Sequence, residues 1–206
     1  MILTSEEGEV LVKTARSSID AHFSGLSHQT PTEVSPGLRE QRGVFVTLLD
    51  PLKGNSLRGC IGIPFPTRPL IEQVRIAAVE AATEDPRFEP VDLNEFENRI
   101  TLEATVLSPM ERIWVKNPLD LRENILVGRD GLIVEGMGSH GLLLPQVAVD
   151  EDFDNEEFLS QCCLKAGLPP DAWLTGRVQV SRFQGQVFAE DMPKGRVVER
   201  LLKSKS

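Results

Sequence analysis

Residues 125–145 read ILVGRDGLIVEGMGSHGLLLP, and how this stretch is taken decides the fold class. Gly136-Met137-Gly138-Ser139-His140-Gly141 fits the G-x-G-x-x-G spacing of a dinucleotide-binding turn and follows an apolar run, as in a doubly wound parallel sheet. That reading needs a helix to open at the glycines, so that its N-terminus faces a pyrophosphate. Leu142-Leu143-Leu144-Pro145 follows instead, and a proline in the first turns would break such a helix. The other reading takes Ile125–Val127 and Leu132–Val134 as strands reversed at Asp130-Gly131, a pair suited to tight turns. It predicts an antiparallel hairpin over 125–134, a flexible loop beside a cleft at 136–141, and no helix beginning within 138–146.

The flanking sequence agrees with an antiparallel fold. Thr4-Ser5-Glu6-Glu7 has capping-box spacing, and Leu11, Ala15, Ile19 and His22 recur at helical intervals, which predicts a helix over 5–24. A polar loop containing Pro31 and Pro36 follows. GVFVTLL (43–49) and SLRGCIGI (56–63) read as a second hairpin with a longer loop. Thr67 and Pro69 open a helix whose Leu70, Val74, Ala77, Ala78 and Ala81 share a face, and Asp85-Pro86-Arg87-Phe88-Glu89-Pro90 stops it. Alternation at 100–106 predicts a half-buried strand. Asp154 caps a helix running to Ala166, which Gly167 closes. Strands at 178–183 and 186–190 complete an α+β class rich in antiparallel sheet.

The chain has 206 residues and a formal charge of −9, enough length for a core without disulfide or metal staples. Its acidity argues against a general nucleic-acid or anionic-membrane binder, since phosphate affinity needs clustered cations. Residues 194–206 carry +4 and read as a short solvated basic tail. The N-terminus lacks a signal-peptide pattern, no apolar run approaches a bilayer span, and three cysteines form no disulfide framework. The expectation is a soluble cytoplasmic protein with no membrane contact.

No cofactor and no metal are expected. Asp150, Asp152 and Asp154 imitate a calcium loop, but Asn155 stands where glycine is required and Gln161 where the bidentate glutamate belongs. Leu57-Arg58-Gly59-Cys60-Ile61-Gly62 is unusual for a strand, because glycine weakens strand interiors and marks close approach. Two readings of Cys60 stay open. Gly59 and Gly62 remove side-chain cover and Arg58 adds charge on the same face, as a reactive thiolate needs; equally, Cys60 is a small buried hydrophobe. Cys162 and Cys163 lie mid-helix with at least one shielded, so Cys60 is expected to react fastest. His140, in a glycine-rich segment, is the candidate base, while His22 belongs to a core face and His28 to a polar loop.

LRGCIG (57–62), AAVEAATEDPRFEP (77–90), ILVGRDGLIV (125–134), GLLLPQVA (141–148) and CLKAGLP (163–169) before Trp173 together resemble the AMMECR domain family across nearly the whole chain. The resemblance implies two α+β subdomains, the smaller (38–104) inserted in the larger (1–37 with 105–206), with LRGCIG near the cleft between them. It implies a link to RNA modification and a pathway shared with Memo-like and radical-SAM proteins, and it names no substrate beyond an unknown small molecule or RNA. The candidate site is Cys60 and His140 as catalytic residues, His140 on its local setting alone, with Arg58, Gly59, Gly62, Asp85 and Arg87 binding ligand. An enzyme using Cys60 and a noncatalytic ligand-binding or interaction subunit are both compatible with this set.

Overall fold

The structure is a computed structural model that describes residues 2–26 and 33–200; His28, Pro31, Lys203 and Lys205 lie outside them. Among the described residues every strand pairing that can be traced is antiparallel, and the class is α+β. Residues up to Leu107 together with Gln186–Arg200 form one compact unit, and Ser108–Gly185 form a second, inserted between them in chain order.

The first unit begins with α1 (Ser5–Phe23), set by the expected capping box: Thr4 Oγ1 accepts the Glu7 amide at 3.2 Å and the Glu7 carboxylate accepts the Thr4 amide at 2.9 Å. After the one-turn α2 (Pro36–Arg39), β1 (Val44–Asp50) and β2 (Ser56–Ile63) form the expected hairpin. Helix α3 (Leu70–Thr83) starts at N-cap Pro69 rather than at Thr67. Then come α4 (Leu93–Arg99), which no periodicity had marked, and β3 (Thr101–Leu107). Strand order is β2-β1-β3, and β2 is an edge.

Leu11, Ala15 and Ile19 of α1 share one core with Val74, Ala77 and Ala81 of α3 and with Val44, Val46 and Leu48 of β1. Each such aliphatic side chain contributes about 1.5–3 kcal/mol on burial. This shared core groups α1 with residues 38–107, whereas the resemblance implied that 1–37 would go with 105–206. His22, expected on the core face, is exposed, one turn beyond the packed stripe. The described part of the basic tail is no loose segment. Strand β8 (Val197–Arg200) pairs with β7 (Gln179–Glu190), and Lys194, Arg196 and Arg200 each meet a carboxylate. Strand β7 is continuous where two strands were expected. Its Glu190 takes a buried two-pronged bond from Arg16 at 2.5 Å per arm, which ties α1 to the sheet.

The second unit corrects the reading of 125–145. The hairpin there is β5 (Asp130–Gly136) with β6 (Ser139–Leu143), reversed at Met137 (φ 53°) and Gly138 (φ 79°), both left-handed as a tight two-residue turn requires. Residues 125–127 form no strand, and Asp130-Gly131 opens β5 instead of turning the chain. The Asp130 carboxylate, 1% exposed, accepts the Leu126 amide at 3.0 Å and pairs with Arg129. Pro145 does not prevent a helix; it begins α5 (Pro145–Asp150), because proline at the first helical position loses no hydrogen bond. Helix α6 (Asn155–Lys165), capped by Asp154 as expected, packs Phe158, Leu159, Cys162 and Cys163 into this unit's core with Trp173 and Val180. Here β7 lies between β5 and the two-residue β4 (Glu111–Arg112). Among the described residues no helix is long and apolar enough to cross a membrane, and no group of three or more His, Cys, Asp or Glu is placed to hold a metal ion.

Candidate functional site

Gly59 and Gly62 owe their places to close approach. A Cβ on Gly59 would lie 2.2 Å from the Ala81 carbonyl oxygen, so the backbone of α3 rests directly on β2. At Gly62 a Cβ would meet the Phe45 ring at 2.1 Å. Cys60, between them in the alternation, points to the face turned away from α3. The register puts Thr47 opposite Cys60 and Glu103 opposite Thr47, so three polar side chains form a row across β2, β1 and β3. The Thr47 hydroxyl donates to Cys60 Sγ at 3.4 Å, and Arg200 Nη1 donates to Glu103 Oε2 at 3.1 Å. Burial pushes the Glu103 carboxyl up, against the pull of Arg200.

Asp85 and Arg87 close the free edge of β2 at the same residue. The Cys60 amide donates to Asp85 Oδ2 at 2.7 Å, and Arg87 Nη2 donates to the Cys60 carbonyl at 3.3 Å. Those two backbone groups would otherwise be an open edge template. Arg87 also grips Asp85 with Nε at 2.9 Å and Nη2 at 2.7 Å. This fork, with the Cys60 and Arg87 amides, holds the Asp85 carboxyl far below the usual carboxylate range despite its burial, and raises Arg87 in turn. Arg58 binds the same segment differently. It takes Glu95 two-pronged at 2.9 and 3.0 Å, donates to the Glu89 carbonyl at 2.8 Å, and sits 6.0 Å from the Phe88 ring centre. LRGCIG and EDPRFEP, far apart in sequence, are therefore one hydrogen-bonded assembly.

The Cys60 thiol departs from the expectation drawn from Arg58. Burial pushes it up; the Thr47 hydroxyl and the Arg87 charge pull it down, and Asp85 and Glu103 add to the rise. Arg58 is engaged by Glu95, so the cation that acts on the thiol is Arg87. Cys162 and Cys163 are fully buried, and burial pushes Cys162 up to about 12. His140 lies in the second unit on β6, opposite Glu135, in an ordered strand and not in a flexible loop. Thr47 and Glu103 escaped the sequence reading because alternation gives each strand's faces but not which residues oppose each other. A carboxylate amid the apolar alternation of 100–106 was the one visible signal.

The chain matches the AMMECR1 family over residues 12–188. It belongs to that family. A protein of Thermofilum pendens is 50% identical over 208 aligned residues, covering 97% of each chain. One of Methanocaldococcus jannaschii is 47% identical over 203, covering 98% of each. The crystal structure of an uncharacterized protein from Pyrococcus horikoshii is similar with a TM-score of 0.89 at 44% identity, over 97% of this chain and 99% of that one. The fold described here is thus a fold of the AMMECR1 family, and the Cys60–Asp85–Arg87 assembly is a feature of this member of it.

Proposed function

We propose that this AMMECR1-family protein is a ligand-binding subunit whose first unit takes a small molecule carrying an anionic group. Arg87 receives the anion, and the Cys60–Thr47–Glu103 row reads the rest. The observation that carries this reading is the state of Arg87. Asp85 engages its Nε and Nη2 while the side chain remains 54% exposed, beside a thiol that burial keeps protonated. With Nε and Nη2 held by Asp85 and the Cys60 carbonyl, the guanidinium is rigid and presents Nη1 to a carboxylate or phosphate. Two strand spacings of about 4.8 Å separate Cys60 from Glu103, so a ligand spanning the row is about 10 Å long and presents a hydrogen-bond donor at its far end. Memo-like and radical-SAM proteins as partners, and an RNA end as the source of the anion, belong to the same proposal and rest on the family resemblance.

The test compares two alkylating agents of equal reach. Iodoacetate carries a carboxylate that Arg87 attracts; iodoacetamide is neutral. Relative to a free thiol, Cys60 should show a raised iodoacetate-to-iodoacetamide rate ratio, by at most about fivefold, the value ~1 kcal/mol of attraction near 4 Å in water gives before Asp85 offsets part of it. Arg87→Lys should keep that preference and Arg87→Ala abolish it, with Cys162 and Cys163 silent until unfolding. A ratio equal to that of free cysteine refutes anion binding beside Cys60.

One contact favours a second reading, in which Cys60 is a nucleophile. Thr47, whose hydroxyl donates to the sulfur, stands in register beside Glu103, a carboxyl that burial pushes upward and suits to accepting a proton. The same labelling followed across pH separates the two. A Cys60 midpoint below the ordinary thiol value of about 8.5 that Glu103→Gln shifts supports the nucleophile. A midpoint above it that ignores Glu103 supports the binding subunit.

A further inference from the structure

We infer that the second unit carries a separate site for a planar heteroaromatic ring bearing a phosphate, the chemistry of a single nucleotide. The site is a cavity of about 280 Å³ beside the segment Glu111–Lys116, where Trp114 and Arg112 stand at the rim and Trp173 and Val180 form the floor. The chain has two tryptophans and no tyrosine. Trp173 is 2% exposed and donates its Nε1–H to Ser160 Oγ at 3.3 Å, so it is a core residue. Trp114 is 75% exposed. Its ring lies against the guanidinium of Arg112, 3.7 Å from the centroid, which keeps the indole in place and leaves its other face uncovered by any described ring. An indole backed by a guanidinium is a stacking platform, and such platforms accept any base because every base has a flat π-face.

The charges on this rim point the same way. In a chain of charge −9 the arginines are largely paired: Arg16, Arg58, Arg87, Arg99, Arg122, Arg129, Arg182, Arg196 and Arg200 each meet a carboxylate. Arg112 and Lys116 have no ion pair among the described residues, and no Asp or Glu lines the cavity. Gln179, also in the lining, donates one Nε2 hydrogen to Glu135 Oε2 at 3.4 Å and keeps its Oε1 and second Nε2 hydrogen for a base edge. The volume of about 280 Å³ lies just below the roughly 300–1,000 Å³ of small-molecule sites, room for the base of one nucleotide and no more. The ligand comes either from free nucleotide or from the end of a single strand; the recognition chemistry is shared.

Tryptophan fluorescence excited at 295 nm reads the site through Trp114 at the rim and Trp173 at the floor, and Trp114→Phe isolates the Trp173 share of any quenching. Titration with AMP, CMP, GMP and UMP should quench the Trp114 emission saturably. Adenosine should bind roughly tenfold more weakly for lack of the phosphate, and ribose 5-phosphate should leave the emission unchanged. Equilibrium dialysis of labelled AMP then separates platform from scaffold. Trp114→Ala should weaken binding by about tenfold or more, and Trp114→Phe should hold it within a few-fold, since stacking contributes about 1–3 kcal/mol per base. Lys116→Ala should weaken AMP strongly and adenosine little, whereas Arg112→Ala, which also removes the support of the indole, should weaken both. Both variants replace an exposed indole, and retained Trp173 emission in the unliganded protein checks that they fold. A 5′-phosphorylated trinucleotide distinguishes the sources: tighter binding than AMP assigns the site to a strand end, equal binding to free nucleotide. No quenching by any nucleotide at millimolar concentration, or equal AMP affinity in Trp114→Ala and Trp114→Phe, overturns the inference and leaves Trp114 as a surface for another protein.

Discussion

Each unit packs a helix backbone onto a strand at a glycine, and each has a cysteine beside that contact. In the first unit Gly59 of β2 meets the Ala81 carbonyl of α3, and Cys60 is carried by the strand, so alternation turns it away from the helix. In the second, Gly141 of β6 meets the backbone of α6, where a Cβ would lie 2.4 Å from Ala166 N and 2.6 Å from the Cys162 carbonyl oxygen. There the cysteine is carried by the helix and points into the contact, and Cys162 Sγ donates to the carbonyls of Gly141 at 3.4 Å and Leu132 at 3.5 Å. The packing device is the same, but the chemistry is opposite. A thiol on the strand stays partly buried among charged groups; a thiol on the helix is sealed and inert.

Adding one methyl group at each glycine is the strongest way to break this comparison. Gly59→Ala and Gly141→Ala should each lower stability by about 3 kcal/mol or more in urea unfolding, since the added carbon meets backbone that cannot rotate aside. A near-neutral result at either position would remove the close approach from that unit. Asp85→Asn tests the charged edge of β2 in the first unit. It should cost about 2 kcal/mol at neutral pH, below the usual cost of breaking a fully buried pair because Arg87 is half in solvent. The Asp85 carboxyl is lower in the folded than in the unfolded state, so its contribution is present above about pH 4 and lost as pH falls below that value. The gap between wild type and Asp85→Asn in unfolding experiments should therefore close in acid; a gap independent of pH would deny the charge its role.

Alkaline pH probes the sealed thiol with a smaller effect. Cys162 is pushed up to about 12 in the fold against about 8.5 unfolded, so the folded state keeps its proton longer. Stability should fall from about pH 8.5 upward, by at most about 1.4 kcal/mol per pH unit for this group, and Cys162→Ala should make that slope shallower. A slope unchanged by the substitution would mean that the thiol titrates freely and the seal is open.

Local signals in the sequence carried well where the chain satisfies itself. The Thr4–Glu7 capping box, the Asp154 cap, the 44–63 hairpin and the apolar stripe of α3 all appear as read. They failed where a residue serves a distant partner. Asp130-Gly131 looks like a turn, yet Gly131 is required because a Cβ there would lie 2.4 Å from the Phe183 ring on β7. Met137 takes φ 53° in the actual turn, a conformation its side chain does not favour, because the β5–β6 register leaves two residues to reverse the chain. For the site, Cys60 with its glycines stood out as unusual, and Asp85 and Arg87 were named with it, but the partner of Arg58 was out of reach. Same-face spacing placed a cation near the thiol without showing that Glu95 holds it.

What the sequence by itself determined is therefore local: where helices begin, which faces are apolar, and that the 57–62 strand is too glycine-rich to be ordinary. Such features depend on residues within about one turn or one hairpin, whose free energies are settled by neighbours along the chain. Only the tertiary structure decided that Asp85 and Arg87 close the edge of β2 at Cys60, that Thr47 and Glu103 complete its row, and that Arg87 rather than Arg58 acts on the thiol. Those relations depend on strand register and on burial. Both arise when segments distant in sequence exclude water together, and the electrostatics of a thiol follows the water that has been removed.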